Sequence, residues 1–161
     1  MNPAKTLGRI RAFIVFFMIV LALSGITAFP VYSELQFIHE QQPFPAGSAL
    51  QLWLDRVWNG VKEAHDRDPF LFYGFDWLAF AHLVIALLFI GPYKDPVRNK
   101  WIINWGIIAC IGIIPLACIA GPIRNIPWFH IVIDCSFGII GIIPLLMVRR
   151  WIKNLEAVVH Q

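Results

Sequence analysis

Long uninterrupted apolar runs, rather than alternating ones, dominate the pattern of the chain. They cover about residues 12–29, 69–91, 101–121 and 128–148, and each is long enough to cross a bilayer, which takes about 20 residues. Backbone groups in lipid have no water to bond, so only helices and closed barrels span it. Runs without strand-like alternation select helices. Breakers bound the runs. Pro30 ends the first, and Gly91-Pro92 and Gly121-Pro122 read as stops after the second and third. Glycine accepts the left-handed capping conformation and proline cannot continue a helix. Asp68-Pro69 reads as the start of the second helix, with Asp68 as N-cap and Pro69 in the first turn. A start at Asp76 would leave only about 15 residues, too few to span comfortably. Pro115 and Pro144 fall inside the third and fourth helices and are expected to kink them.

Residues 30–68 form the one long segment outside these runs. Phe44-Pro45-Ala46-Gly47 reads as a turn, and Ser48 with Gln51 has the spacing of a capping box. Leu50, Trp53, Leu54, Val57, Trp58 and Val61 then recur at helical spacing. The pattern predicts an amphipathic helix over about residues 49–65, with Asp55, Arg56, Asn59, Lys62 and Glu63 on its polar side. Two roles suit it: an interfacial anchor held by its two tryptophans, or a lid over the bundle. His39-Glu40 and His65-Asp66 have the donors for a divalent cation, although solvation is the ordinary fate of such loop pairs.

Composition agrees with the pattern. Hydrophobic residues make up 58%, charged residues 14%, and mean hydropathy is +0.67. Soluble domains have roughly 45–50% and about 25%. So few charges cannot coat a water-facing surface, which excludes a soluble enzyme and a nucleic-acid-binding domain. The net charge of +3 matters less than its placement. Lys5, Arg9, Arg11, Lys94, Arg98, Lys100, Arg149, Arg150 and Lys153 fall on one side of the expected membrane, and Arg56, Lys62, Arg67 and Arg124 on the other. The positive-inside rule then puts both termini in the cytoplasm and residues 30–68 outside, with a bacterial inner (plasma) membrane as the expected location. Lys5, Arg9 and Arg11 also suit a signal peptide, but an apolar run of about 18 residues exceeds the usual ~7–15. Ile26 also stands where alanine would be expected before Ala28 in a small-residue cleavage signature. The segment reads as a retained anchor.

Ionisable side chains inside spans are rare and mark functional sites. The second helix carries His82 near its middle and Asp76 at its outer end. The fourth carries His130 and Asp134, and the third carries Asn104 near its inner end. Asp134 lies ~6 Å outward of its helix centre at 1.5 Å per residue, with His130 one turn further out on the same face. That face continues through Gly138, Gly141 and Leu145, while Ala79 and Ala86 flank His82. Small residues let helices approach closely, so Gly138, Gly141, Ala79 and Ala86 are expected packing positions, and the polar groups are expected to face inward.

Several uses fit this cluster. A His82–Asp134 hydrogen bond could fix helix register, at about 0.6 kcal/mol. His82, Asp134, His130, Asp76 and Arg124 are candidate ligand-binding residues of an outward-facing polar pocket for a lipid-like or other hydrophobic ligand. His82 and His130 suit haem b as axial ligands, with Arg124 near a propionate, and His82, His130 and Asp134 suit a zinc or iron ion. A proton or ion pathway is a further use. Cys110, Cys118 and Cys135 read as small apolar fillers. Gly112-Ile113-Ile114-Pro115-Leu116 recurs at Gly141-Ile142-Ile143-Pro144-Leu145, a compositional echo with an inverted repeat as the alternative. No phosphate loop, nucleophile elbow or metalloprotease motif is present.

The sequence therefore predicts an all-α integral membrane protein: a single transmembrane domain forming a four-helix bundle, with one external amphipathic helix. Its leading functional expectation is binding of a lipid-like ligand or a membrane-protein partner, a second copy included, with membrane lipid around it and no nucleic acid. The alternative is an intramembrane haem- or metal-dependent redox or hydrolytic protein; the residues leave open whether any catalysis occurs.

Overall fold

A computed structural model describes residues 3–159 of the chain, and every regular element among them is helical. Helix α1 (Pro3–Ala28) is followed after a two-residue turn by α2 (Val31–Gln41), and α3 (Ala49–Arg67) comes next. A 3₁₀ turn at Pro69–Phe72 leads into α4 (Tyr73–Leu88). The short α5 (Ile90–Lys94), α6 (Lys100–Ile123) and α7 (Trp128–Val159) complete the order. Four helical segments, Pro3–Ala28, Pro69–Lys94, Lys100–Ile123 and Trp128–Ala157, are long and apolar enough to cross a membrane.

The boundaries shift where side chains meet partners. Helix α1 begins about nine residues before its apolar run, because Thr6, Ile10 and Ile14, four apart, share one buried face. Helix α7 runs well past the expected end near residue 148. Leu145, Val148, Ile152 and Leu155 continue one buried stripe, and Lys100 Nζ donates to both Glu156 carboxylate oxygens at 2.8 and 2.7 Å. The predicted stop at Gly91-Pro92 is displaced: the chain breaks at Phe89, and both residues lie inside α5. Pro92 has no N–H to offer the Leu88 carbonyl, so the helix yields before it and restarts with proline in a first turn, where that donor is unneeded. Pro122 likewise falls within the last turn of α6, which ends when the Arg124 N–H reaches the Ala120 and Gly121 carbonyls at 3.0 and 3.1 Å. Pro115 and Pro144 lie inside α6 and α7.

In the segment before α4, Ser48 caps α3 as expected, accepting from the Gln51 N–H at 3.2 Å. Only half the capping box forms, since the Ser48 N–H donates to the Pro45 carbonyl at 3.0 Å rather than to the Gln51 side chain. Gly47, at φ +77°, closes the Pro45–Ser48 turn. Asp68 stands before the 3₁₀ turn without a side-chain cap, since its carboxylate accepts from Arg67.

The chain divides into two compact units, residues 1–20 with 86–161, and residues 21–85. The first holds the principal core, in which Phe89, Ile102, Ile103, Ile107, Leu145, Val148 and Ile152 are buried. Glycines set its spacing. A Cβ on Gly138 would lie 2.5 Å from the Cys110 carbonyl oxygen, and one on Gly106 would press Phe89 and Leu145 at 3.0 and 3.1 Å. At one end of this unit, Pro3, Ala4 and Leu7, the Lys94–Val97 link and Leu155 line a groove of ≈ 390 Å³. The three basic segments of the chain thus meet at the same end of this unit. In the second unit, α1 and α4 approach at Gly25, where a Cβ would lie 2.7 Å from the Ala79 carbonyl oxygen.

Candidate functional site

The intramembrane candidates separate between the units. In the first, His130 and Asp134 sit one turn apart near the start of α7, with Nε2 and Oδ1 at 3.8 Å and side chains 41% and 40% exposed. Their helix face continues into Gly138, buried against α6, and Gly141, whose added Cβ would touch Cys110 Sγ at 3.0 Å. At Gly138 and Gly141, α7 packs closely on α6. Arg124 is exposed in the turn between the two helices. Gly112, the repeat counterpart of Gly141, has open space where its Cβ would stand, so the two copies of the repeat do different work.

His82 belongs to the second unit. Its Nδ1 lies 2.8 Å from the Leu78 carbonyl oxygen one turn back, so Nδ1 donates to that carbonyl. Its backbone side faces α1, with its Cβ 3.0 Å from a Cβ built on Gly25. Ala79 is fully buried at the Gly25 crossing, and Ala86 is buried as well. Asp76 is exposed in the first turn of α4, not at its start.

A second constellation, absent from the sequence reading, lies between α2 and α3. Tyr32 stacks on His65 at 4.0 Å and 23°, and His39 stacks on Trp58 at 5.6 Å and 22°. Tyr32 also meets Trp58, and Phe72 meets the edge of His65. His39 Nδ1 stands 3.3 Å from Asp55 Oδ1, an ion-pair distance, while Gln51 donates to the same Asp55 oxygen at 2.8 Å. His39 therefore pairs across the helices with Asp55, and Glu40 is taken by Gln36 instead. Trp58, 9% exposed within this stack, is not a free anchor; Trp53 carries the Arg56 guanidinium over its ring. The sequence does carry a signal for α2: Tyr32, Leu35 and His39 are spaced three and four apart, shortly after Pro30. The aromatic layers hold α2 to α3, each stacked pair adding about 0.5–1.5 kcal/mol beyond area burial.

Among the described residues, no three His, Cys, Asp or Glu side chains gather as a metal-holding group. Comparison with protein-family models, with curated proteins and with solved structures finds no match to this chain.

Proposed function

We propose that the chain is an integral membrane protein that binds a lipid-like ligand. In this reading both termini are cytoplasmic, residues 30–68 are external, and the His130–Asp134 pair meets the ligand's polar group. The orientation follows from the nine basic residues counted on one side, and it is supported by the meeting of their three segments at one end of the first unit.

One observation carries the binding site: His130 and Asp134 are both about two-fifths exposed, and Asp134 stands ~9 Å past the start of α7 at 1.5 Å per residue. A carboxylate as exposed as Asp134 is costly at that depth in lipid, and a polar group of a ligand lowers that cost. An amphipathic molecule with a cationic or hydrogen-bond-donating head supplies such a group while its tails lie along the apolar helix faces.

Native mass spectrometry of the chain extracted in mild detergent should show a retained lipid-like adduct. Asp134→Asn should lower its occupancy about 10–100-fold, the equivalent of a charged hydrogen bond worth about 1.5–3 kcal/mol, with thermal unfolding unchanged. Equal occupancy in the variant, or a drop in Tm without loss of adduct, would overturn the assignment.

A haem or metal role rests on His82. A backbone carbonyl holding one ring N–H is the usual support of a histidine ligand, and His82 has that support from Leu78. Lipid binding predicts that the protein, purified after haem supplementation, lacks a Soret band. A band abolished by His82→Ala would favour the haem reading.

A further inference from the structure

Cys118 and Cys135, which the sequence leaves as fillers in separate helices, stand side by side with their sulfurs 3.9 Å apart. Close helix contacts bracket them. One turn beyond Cys118, a Cβ on Gly121 would strike Ile131 at 2.7 Å, and one turn beyond Cys135, a Cβ on Gly138 would strike the Cys110 carbonyl at 2.5 Å. The two backbones are therefore close on the Gly138 side of the thiols, and on the Gly121 side the Ile131 side chain fills the gap between the helices. A disulfide needs the sulfurs at about 2.05 Å, an approach of roughly 1.9 Å that side-chain rotation can supply where the backbones already lie close.

The setting also selects the oxidant. Cys118 is five residues before the end of α6 and Cys135 seven after Trp128, so they lie ~8 and ~11 Å from their helix ends at 1.5 Å per residue. Cys118 is exposed, and its neighbours Leu116 and Ile119 are 66% and 64% exposed. An electron acceptor reaching it at that depth must dissolve in hydrocarbon. Cys110, by contrast, is buried.

We propose that Cys118 and Cys135 are a redox pair that closes into an interhelical disulfide, with a membrane quinone as the electron acceptor. Two S–H bonds break and one S–S bond forms; two electrons and two protons pass to the quinone, which leaves as the quinol. The disulfide locks the α6–α7 hairpin across its turn. The depth of the pair rests on the membrane-spanning reading above, whereas the pairing itself does not.

The test uses the reduced full chain in lipid nanodiscs and a short-tailed quinone with a fully substituted ring, which resists direct thiol addition. Maleimide labelling after denaturation, read as intact mass, should fall from three adducts on the three cysteines to one, with one quinol formed per chain. Cys118→Ser and Cys135→Ser should each keep two adducts before and after. Three adducts surviving on the wild-type chain, or equal losses in the single variants, would overturn the pair. An alkaline wash that strips the chain from its native membranes would overturn the membrane reading separately, since the adduct count does not depend on it.

Discussion

Gly138→Ala should destabilise the α6–α7 hairpin by about 1–3 kcal/mol or more, the cost of overpacking a closed contact. The added methyl carbon would stand 2.5 Å from the Cys110 carbonyl oxygen. That oxygen belongs to a helix backbone, so it cannot swing aside as a side-chain tip would. The hairpin has to open, and opening it loosens the contact of Gly141 with Cys110 Sγ one turn further on. Gly112→Ala is the matched control. Nothing stands within 4 Å of its Cβ position, and alanine removes the helix penalty of glycine, so stability should rise by about 0.5–1 kcal/mol. Thermal unfolding in detergent reads both, and the two substitutions should move Tm in opposite directions. A rise in Tm for both would show that the contact at 138 is not closed.

Phe89→Ala should cost about 3–5 kcal/mol, the range for emptying a buried aromatic site. Phe89 is fully buried at the break between α4 and α5, with its ring 4.9 Å from that of Phe17 and its edge against Gly106. Its place depends on Pro92: the helix interruption aims this one side chain into the core of the first unit. Phe16→Ala removes the same group from a position 60% exposed and should change stability by less than about 1 kcal/mol. A Phe89→Ala protein that unfolds with the wild type would show that the break, not the ring, holds this region together. Phe89→Leu, which keeps most of the volume, should recover more than half of the loss.

Much of the candidate chemistry could be found from sequence but not arranged. His82, His130 and Asp134 stand out because an ionisable residue in an apolar run is costly wherever the helix packs. Their partners do not stand out. The bond from His82 to the Leu78 carbonyl stays within one helix. The pairing of Cys118 with Cys135 needs the rotation of two helices about their axes, which glycine contacts set. The stack of Tyr32, His65, His39 and Trp58 needs α2 folded back on α3, and the intervening residues 42–48 signal only a turn.

The sequence by itself determined the helical class, the presence of four helices long and apolar enough to cross a membrane, the Ser48 cap and the glycine faces. These depend on local quantities: run length, breaker placement, and spacing along one helix, where neighbours are fixed at three and four residues. Tertiary structure alone decided where α1 begins and α7 ends, why α4 stops at Phe89, and which thiols and imidazoles meet. Those outcomes depend on contacts between residues distant in the chain, whose energies outweigh local propensity by a few kcal/mol and leave no periodic trace in the sequence.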